Sequence, residues 1–193
     1  VQTCALPISL LHHDKTTPLP FETMAGVVTA TFEKDGNVTV NLTNPHSMQL
    51  FVLNADPTVG ADVHFLNTGV PHAVAFLDKL EGLDISRLGA YLRYHEAFSP
   101  KGTNANFARI LSPGHIAIRT YERGVEDETL ACGTGMTACA LLHAVLTDAP
   151  SPIQVDVAGV DTLKVGFQRT GDRFTDVTLT GPADLVFTGD IQI

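Results

Sequence analysis

The sequence predicts an α+β fold in which a curled, barrel-like antiparallel sheet packs around a central helix. Three observations carry that expectation. Short runs of alternating β-branched and polar residues recur along the chain. Turn formers separate them, with 16 Gly and 11 Pro in 193 residues. A long apolar segment with helical spacing follows Cys132. Hairpin-linked strands with a helix laid on them make a layered α+β domain, and no repeat of solenoid period is present.

The elements follow in order. Residues 26–32 alternate Val, Thr and Ala, Asp35-Gly36 turns, and residues 37–42 alternate again as NVTVNL, which reads as a hairpin before Asn44-Pro45-His46 breaks the pattern. Residues 63–66 form a short strand closed by Asn67-Thr68-Gly69. After Pro71 the run HAVAFLDKL reads as a strand passing into a helix, and residues 84–94 as a helix. Residues 106–111 and 115–121 pair around Ser112-Pro113-Gly114. The helix after Cys132 places Met136, Ala138, Cys139, Leu142 and Val145 on one buried stripe and ends near Thr147, before Pro150. Strands at 153–157, 162–168, 174–180 and 183–193 complete the chain, giving about eight to ten strands and one or two long helices.

Composition narrows the functional classes. Twelve basic against 21 acidic residues leave a formal charge of −9, with no basic cluster, which argues against nucleic acid or an anionic membrane as partner. No apolar run approaches about 18 residues and no signal-like start is present, so the expected setting is cytoplasmic and the expected partner a small-molecule substrate. Cys4, Cys132 and Cys139 are odd in number and lack CxxC spacing, which favours neither a disulfide framework nor a zinc site. Adjacent His12 and His13 read as loop residues, and no metal site is expected.

The chemistry concentrates at ACGTG, residues 131–135. Glycines around a helix start expose its amides to a ligand, and those amides bind anions. The same partial positive charge favours thiolate over thiol, so Cys132 is expected to have a lowered pKa. Such a thiolate could serve acyl transfer, thiol redox work or proton abstraction beside a bound carboxylate, and the alternative is a small buried hydrophobe. Cys139 falls on the buried stripe and reads as core.

Tyr121-Glu122-Arg123-Gly124 followed by ETLACGTG, residues 128–135, resembles the second half of diaminopimelate epimerase. Thr68-Gly69-Val70-Pro71-His72, His95-Glu96, Thr103-Asn104-Ala105-Asn106-Phe107 and Thr180-Gly181-Pro182-Ala183 support it in the family's order. The resemblance implies cofactor-independent epimerisation of LL-diaminopimelate to the meso form used for lysine and peptidoglycan. Two thiols face each other across the substrate; one removes the α-proton and the other returns a proton to the opposite face. By that likeness Cys132 is one thiol, and Gly133 and Thr134 offer backbone N–H groups to the α-carboxylate. Glu122 holds the substrate ammonium and tunes Cys132, Arg123 and Asn104 grip the distal end, and His72 lies beside the other thiol. No pyridoxal phosphate or metal takes part, and a homodimer is compatible with the pattern. Because strand neighbours face opposite ways, Glu122 and Arg123 require the strand to end or twist, which Gly124 permits.

The chain departs from the family at Val70, where many members carry a substrate-touching Asn, and in a longer, more acidic loop at residues 124–128. The first thiol motif is absent. Residues 1–8, VQTCALPI, look like a translated sequencing adapter, so the expected organisation is a foreign start at 1–8, a remnant of the first half at 9–50, with residues 10–14 ending its helix, the Cys-bearing half at 51–180, and a strand returning to the first half at 181–193. The one-thiol chain is expected to be inactive alone. The runners-up are a proline racemase-like enzyme and a non-catalytic anion-binding module.

Overall fold

The computed structural model describes residues 17–23, 26–158 and 162–183. Cys4, His12, His13, the opening residues 1–8, the expected helix tail at 10–14 and all but Ala183 of the strand expected at 183–193 lie outside the described residues.

The described residues form a mixed β-sheet with two helices. In chain order these are β1 (Leu19–Thr23), β2 (Gly26–Phe32), β3 (Asn37–Asn41), β4 (His46–Asp56), β5 (Ala61–Asn67), β6 (Pro71–Phe76), α1 (Ile85–Tyr94) and a 3-10 turn (Glu96–Phe98). Then come β7 (Asn104–Ser112), β8 (His115–Glu122), β9 (Asp127–Thr129), α2 (Gly133–Thr147), β10 (Ile153–Asp156), β11 (Thr162–Thr170) and β12 (Arg173–Pro182). The sheet runs β1-β2-β3-β12-β11-β10-β8-β7-β6-β5-β4, with β9 added beside β8.

The expected antiparallel sheet is corrected at two places: β6 pairs parallel with β7, and β8 pairs parallel with β10. The cause is the helices. Helix α1 carries the chain back between β6 and β7, and α2 does so between β8 and β10, so the strand after each crossover must run the same way as the strand before it. Elsewhere the hairpins fall where turn residues predict them, as at Gly36, whose φ of +89° is open to glycine without steric cost.

Strand β4 was not legible as a strand, and its backbone says why. Ser47, Phe51 and Ala55 each have positive φ (56°, 56° and 43°), and the register with β5 shifts between every recorded pair. Bulges at four-residue intervals erase the period of two that marks a strand in sequence. Phe51 therefore lies inside an element. The run after Pro71 is likewise corrected, since Lys79-Leu80 lies in a non-helical connection and α1 begins only at Ile85.

Alternation sends the side chains of the central strands to two cores. Leu66, Val74, Ala108, Ile116 and Ile118 pack with α2, whereas Val63, Ala73, Ala75, Phe107 and Tyr121 pack with α1. The predicted single stripe on α2 is also corrected: every residue from Gly135 to Ala144 is buried, because the helix touches strands from β5 to β12 and is apolar all round. Helix α1 is amphipathic, burying Ile85, Leu88, Gly89 and Leu92, half-burying Ala90, Tyr91 and Arg93, and exposing Ser86, Arg87 and Tyr94.

Candidate active site

The same alternation gathers polar side chains at the mouth of α2. On β7, Asn104 and Asn106 share parity with Ala108 of the α2 core; on β8, Thr120 and Glu122 share parity with Ile116 and Ile118; on β6, His72 shares parity with Val74. Register aligns them, since His72 pairs with Asn104, Val74 with Asn106, and Asn106 with Thr120.

Cys132 is the N-cap residue of α2, with extended backbone (φ −134°, ψ 105°) and a side chain that makes no capping hydrogen bond. Its carbonyl accepts the first intrahelical bond, from the Met136 amide at 2.8 Å. Among the described residues no side chain caps the amides of Gly133 and Thr134, which leaves them open to an external acceptor. The Cys132 Sγ lies 3.5 Å from the Thr134 hydroxyl, and the Thr134 carbonyl accepts from Thr68 Oγ1 at 3.0 Å, tying the helix start to the end of β5.

The expected lowering of the Cys132 pKa is corrected. Burial pushes the thiol up, the Thr134 hydroxyl and the Gly135 amide pull it down, and the Glu122 carboxylate pushes it up again, with a net rise. Cys132 is half-buried, and the helix-start amides do not outweigh desolvation and a like charge. Cys139 is fully buried in the core, as the stripe predicts, and burial drives its thiol far up.

His72 is completely buried, and its imidazole is pushed down to about 3, first by burial and then by the Arg123 guanidinium. Its Nδ1 meets Asn106 Nδ2 at 3.1 Å. Asn106 also donates from Nδ2 to the Ala73 carbonyl at 3.0 Å and accepts from Thr120 Oγ1 at 3.0 Å. Sequence reasoning did not single out Asn106 or Thr120. The signal was the Asn-x-Asn spacing of two on a strand, which puts Asn106 on the same face as Asn104. Asn106 also touches the helix mouth: a Cβ on Gly135 would lie 2.5 Å from Asn106 Oδ1 and 3.4 Å from Cys132 Sγ, so only glycine fits there.

Asn104 is buried with its side chain committed to backbone, donating to the Pro71 carbonyl at 3.1 Å and accepting the Arg123 amide at 2.8 Å. Strand β8 ends at Glu122, and Gly124 (φ +94°) opens the turn. The Arg123 guanidinium leaves the α2 face, donates to the Lys101 carbonyl at 3.1 Å and lines an open cleft of about 420 Å³ with Phe65, Phe98, Lys101 and Asn67. Cys132 does not line that cleft. Thus Cys132, Glu122, Gly133, Thr134 and, through Asn106, His72 belong to one end of α2, while Arg123 reaches a neighbouring space.

The acidic loop has a structural use. Glu126 pairs with Arg93 of α1 at 3.1 Å, Asp127 accepts from Ser86 at 2.9 Å, and Glu128 holds Arg119 through two 2.7 Å contacts. These bonds pin the segment that presents Glu122. Among the described residues no group of three or more His, Cys, Asp and Glu is placed to hold a metal ion, and no helix is long and apolar enough to cross a membrane.

The chain resembles known proteins in both sequence and fold. A curated diaminopimelate epimerase from Aquifex aeolicus is 42% identical over 174 residues, covering 89% of this chain and 61% of the relative. One from a Hydrogenobaculum species is 42% identical over 172 residues, covering 88% and 60%. The chain therefore spans about three fifths of the length of these curated relatives. Among solved structures, a probable proline racemase from Agrobacterium radiobacter superposes with a TM-score of 0.71 at 19% identity, covering 100% of this chain and 65% of that one. A hydroxyproline epimerase from Agrobacterium vitis gives 0.66 at 20% identity, covering 94% and 61%. At such identity the likeness speaks for the fold alone. The model of the family described as diaminopimelate epimerase matches residues 64–186, well over half of the sequence, and the chain belongs to that family.

Proposed function

We propose that this chain carries one thiol of a cofactor-independent site that epimerises LL-2,6-diaminopimelate to the meso form. The observation that carries the reading is Cys132 at the uncapped mouth of α2, with Glu122 electrostatically close to it, in a member of this family. The substrate α-carboxylate binds the amides of Gly133 and Thr134, where the helix dipole and open N–H groups stabilise charge that builds as the α-proton leaves. The substrate ammonium pairs with Glu122, which removes the carboxylate's upward push on Cys132 and lets the thiolate act as base. Asn104 orders the Arg123 backbone, and Arg123 serves the distal end from the adjoining cleft.

A two-sided reaction needs a second acid. The chain has only Cys4, Cys132 and Cys139; Cys139 is sealed in the core, and Cys4 falls in the adapter-like residues 1–8, which do not carry the family's first thiol motif. We therefore assign the 193-residue chain one-sided chemistry at most, and divide it into residues 51–180 as the Cys132-bearing half and residues 9–50 and 181–193 as parts of the other. Strand β12 pairs along Thr178–Pro182 with Asn37–Asn41, which joins the end of the Cys132-bearing half to the remnant, and the burial of α2 on all sides supports a sheet curled around it. A reducing, cytoplasmic setting suits the two unpaired cysteines of the described residues.

The raised Cys132 thiol favours a second reading, a binding module that keeps the anion site without proton transfer. Incubating the chain with LL- and meso-diaminopimelate in heavy water separates them. Deuterium entering an α-position with retained configuration supports one-sided proton transfer. Inversion of configuration would refute the one-thiol assignment, and no deuterium at all would leave the module as the better account.

A further inference from the structure

We infer that Asn106 is a positioning residue that fixes His72 in the Nε2–H tautomer, making its Nε2 a hydrogen-bond donor rather than a proton-accepting base. The inference deepens the proposed function, since it rests on His72 belonging to that site. The logic follows from which groups can only accept. The Ala73 carbonyl has no proton to give, so the Asn106 atom 3.0 Å from it is the amide nitrogen. Thr120 Oγ1, 3.0 Å from the other end of the amide, then donates to Oδ1. With its orientation set, the Asn106 NH₂ points its second hydrogen at His72 Nδ1, 3.1 Å away. That ring nitrogen must present a lone pair, because an Nδ1–H would set two donors against each other. In a neutral imidazole the proton then resides on Nε2.

Nε2 is buried and has no hydrogen-bond partner among the described residues. A buried donor without an acceptor is unfavourable by about 1–3 kcal/mol, so the ring is built to meet a lone pair supplied from outside the described residues. An anion, such as a thiolate or a carboxylate oxygen, fits that donor best. The four bonded groups Ala73, Thr120, Asn106 and His72 thus act together. Asn106 is packed against Gly135 on its far side, so the tautomer lock and the Cys132 helix mouth share one rigid contact.

The test reads the ring nitrogens directly. In the ¹⁵N-labelled 193-residue chain at neutral pH, a long-range proton–nitrogen correlation of the histidine rings, assigned by loss of one set of signals in His72→Gln, should show His72 Nδ1 at the shift of a bare lone-pair nitrogen and Nε2 protonated. A protonated Nδ1 overturns the inference. Asn106→Asp replaces the donor with an acceptor; where its thermal midpoint shows a folded chain, the two His72 nitrogen shifts should exchange. An unchanged tautomer in that folded variant also overturns it, and the parent spectrum decides alone where the variant does not fold. Because no step of the measurement requires turnover, a chain that exchanges no deuterium still reports the tautomer, and failure of one reading is distinguishable from failure of the other.

Discussion

In α1 the Asp84 carboxylate accepts the Arg87 amide at 3.1 Å, Arg93 stands in the last turn, and one face is buried. In α2 the capping position is taken by Cys132 with no capping bond, the last turn has no basic residue, and the helix is buried almost throughout. The two therefore owe their stability to different sources. Helix α1 satisfies its own N-terminus and rests on a surface; α2 is held by burial on every side, which frees its N-terminal amides for something other than the chain. Capping is dispensable where packing is complete, and the uncapped start of α2 is where the proposed site lies.

Both helices press a glycine onto the sheet, and the first way to break the comparison is to fill those contacts. A Cβ on Gly89 of α1 would sit 2.2 Å from the Tyr121 Cβ, an atom fixed by its own backbone. Gly89→Ala is expected to destabilise by about 3 kcal/mol or more, read as a fall in the denaturant midpoint. On α2 the obstacle is Asn106 Oδ1, an atom of a side chain rather than of backbone, but one held by bonds to Ala73, Thr120 and His72. Gly135→Ala should cost about 1–3 kcal/mol, while moving the amide and ring signals of Asn106 and His72.

Acid should separate the two cores. His64, His72 and His143 are all buried on the α2 side, and burial lowers the pKa of each, with Asp62 partly opposing it at His64. Such a histidine stays neutral in the fold, whereas the unfolded chain takes up a proton below its ordinary value of 6.5. Stability is therefore fully present above pH 6.5 and declines as pH falls, by about 1.4 kcal/mol per unit for each histidine, until its folded value is reached, about 3 for His72. The α1 side instead relies on Asp56: burial raises its pKa, but the Val59 amide, the Tyr91 hydroxyl and the Thr58 amide together hold it below 3.8. Its contribution persists above pH 3.8 and fades only below it. Amide hydrogen exchange between pH 6.5 and 4 should thus weaken protection around α2 before α1; equal loss in both would contradict the assignment.

The smallest effect concerns the caps. Asp84→Ala should cost about 1 kcal/mol in thermal unfolding, whereas Cys132→Ala, which breaks no cap bond, should shift stability by less than about 0.5 kcal/mol.

How much of this was legible in the sequence follows local periodicity. The β2–β3 and β7–β8 hairpins and the extent of α2 appear where alternation and Gly-Thr-Gly predict them. Strand β4 hid behind its bulges, and the two parallel pairings depend on where a crossover returns, which no local pattern encodes. The ACGTG helix mouth was equally readable, but the direction of the Cys132 pKa was not. It depends on how much protein surrounds the sulfur and on the carboxylate of Glu122, ten positions earlier in the chain. Asn106 was visible only as a spacing until register placed it against His72 and Gly135.

The claim that α2 leaves its mouth open for a substrate carboxylate is tested most directly by the backbone amide signals of the two helix starts as diaminopimelate is added. The resonances of Gly133 and Thr134 should move in a saturable way while those of Ser86 and Arg87 in α1 stay still. No movement at Gly133 and Thr134, or equal movement at both helices, would contradict it.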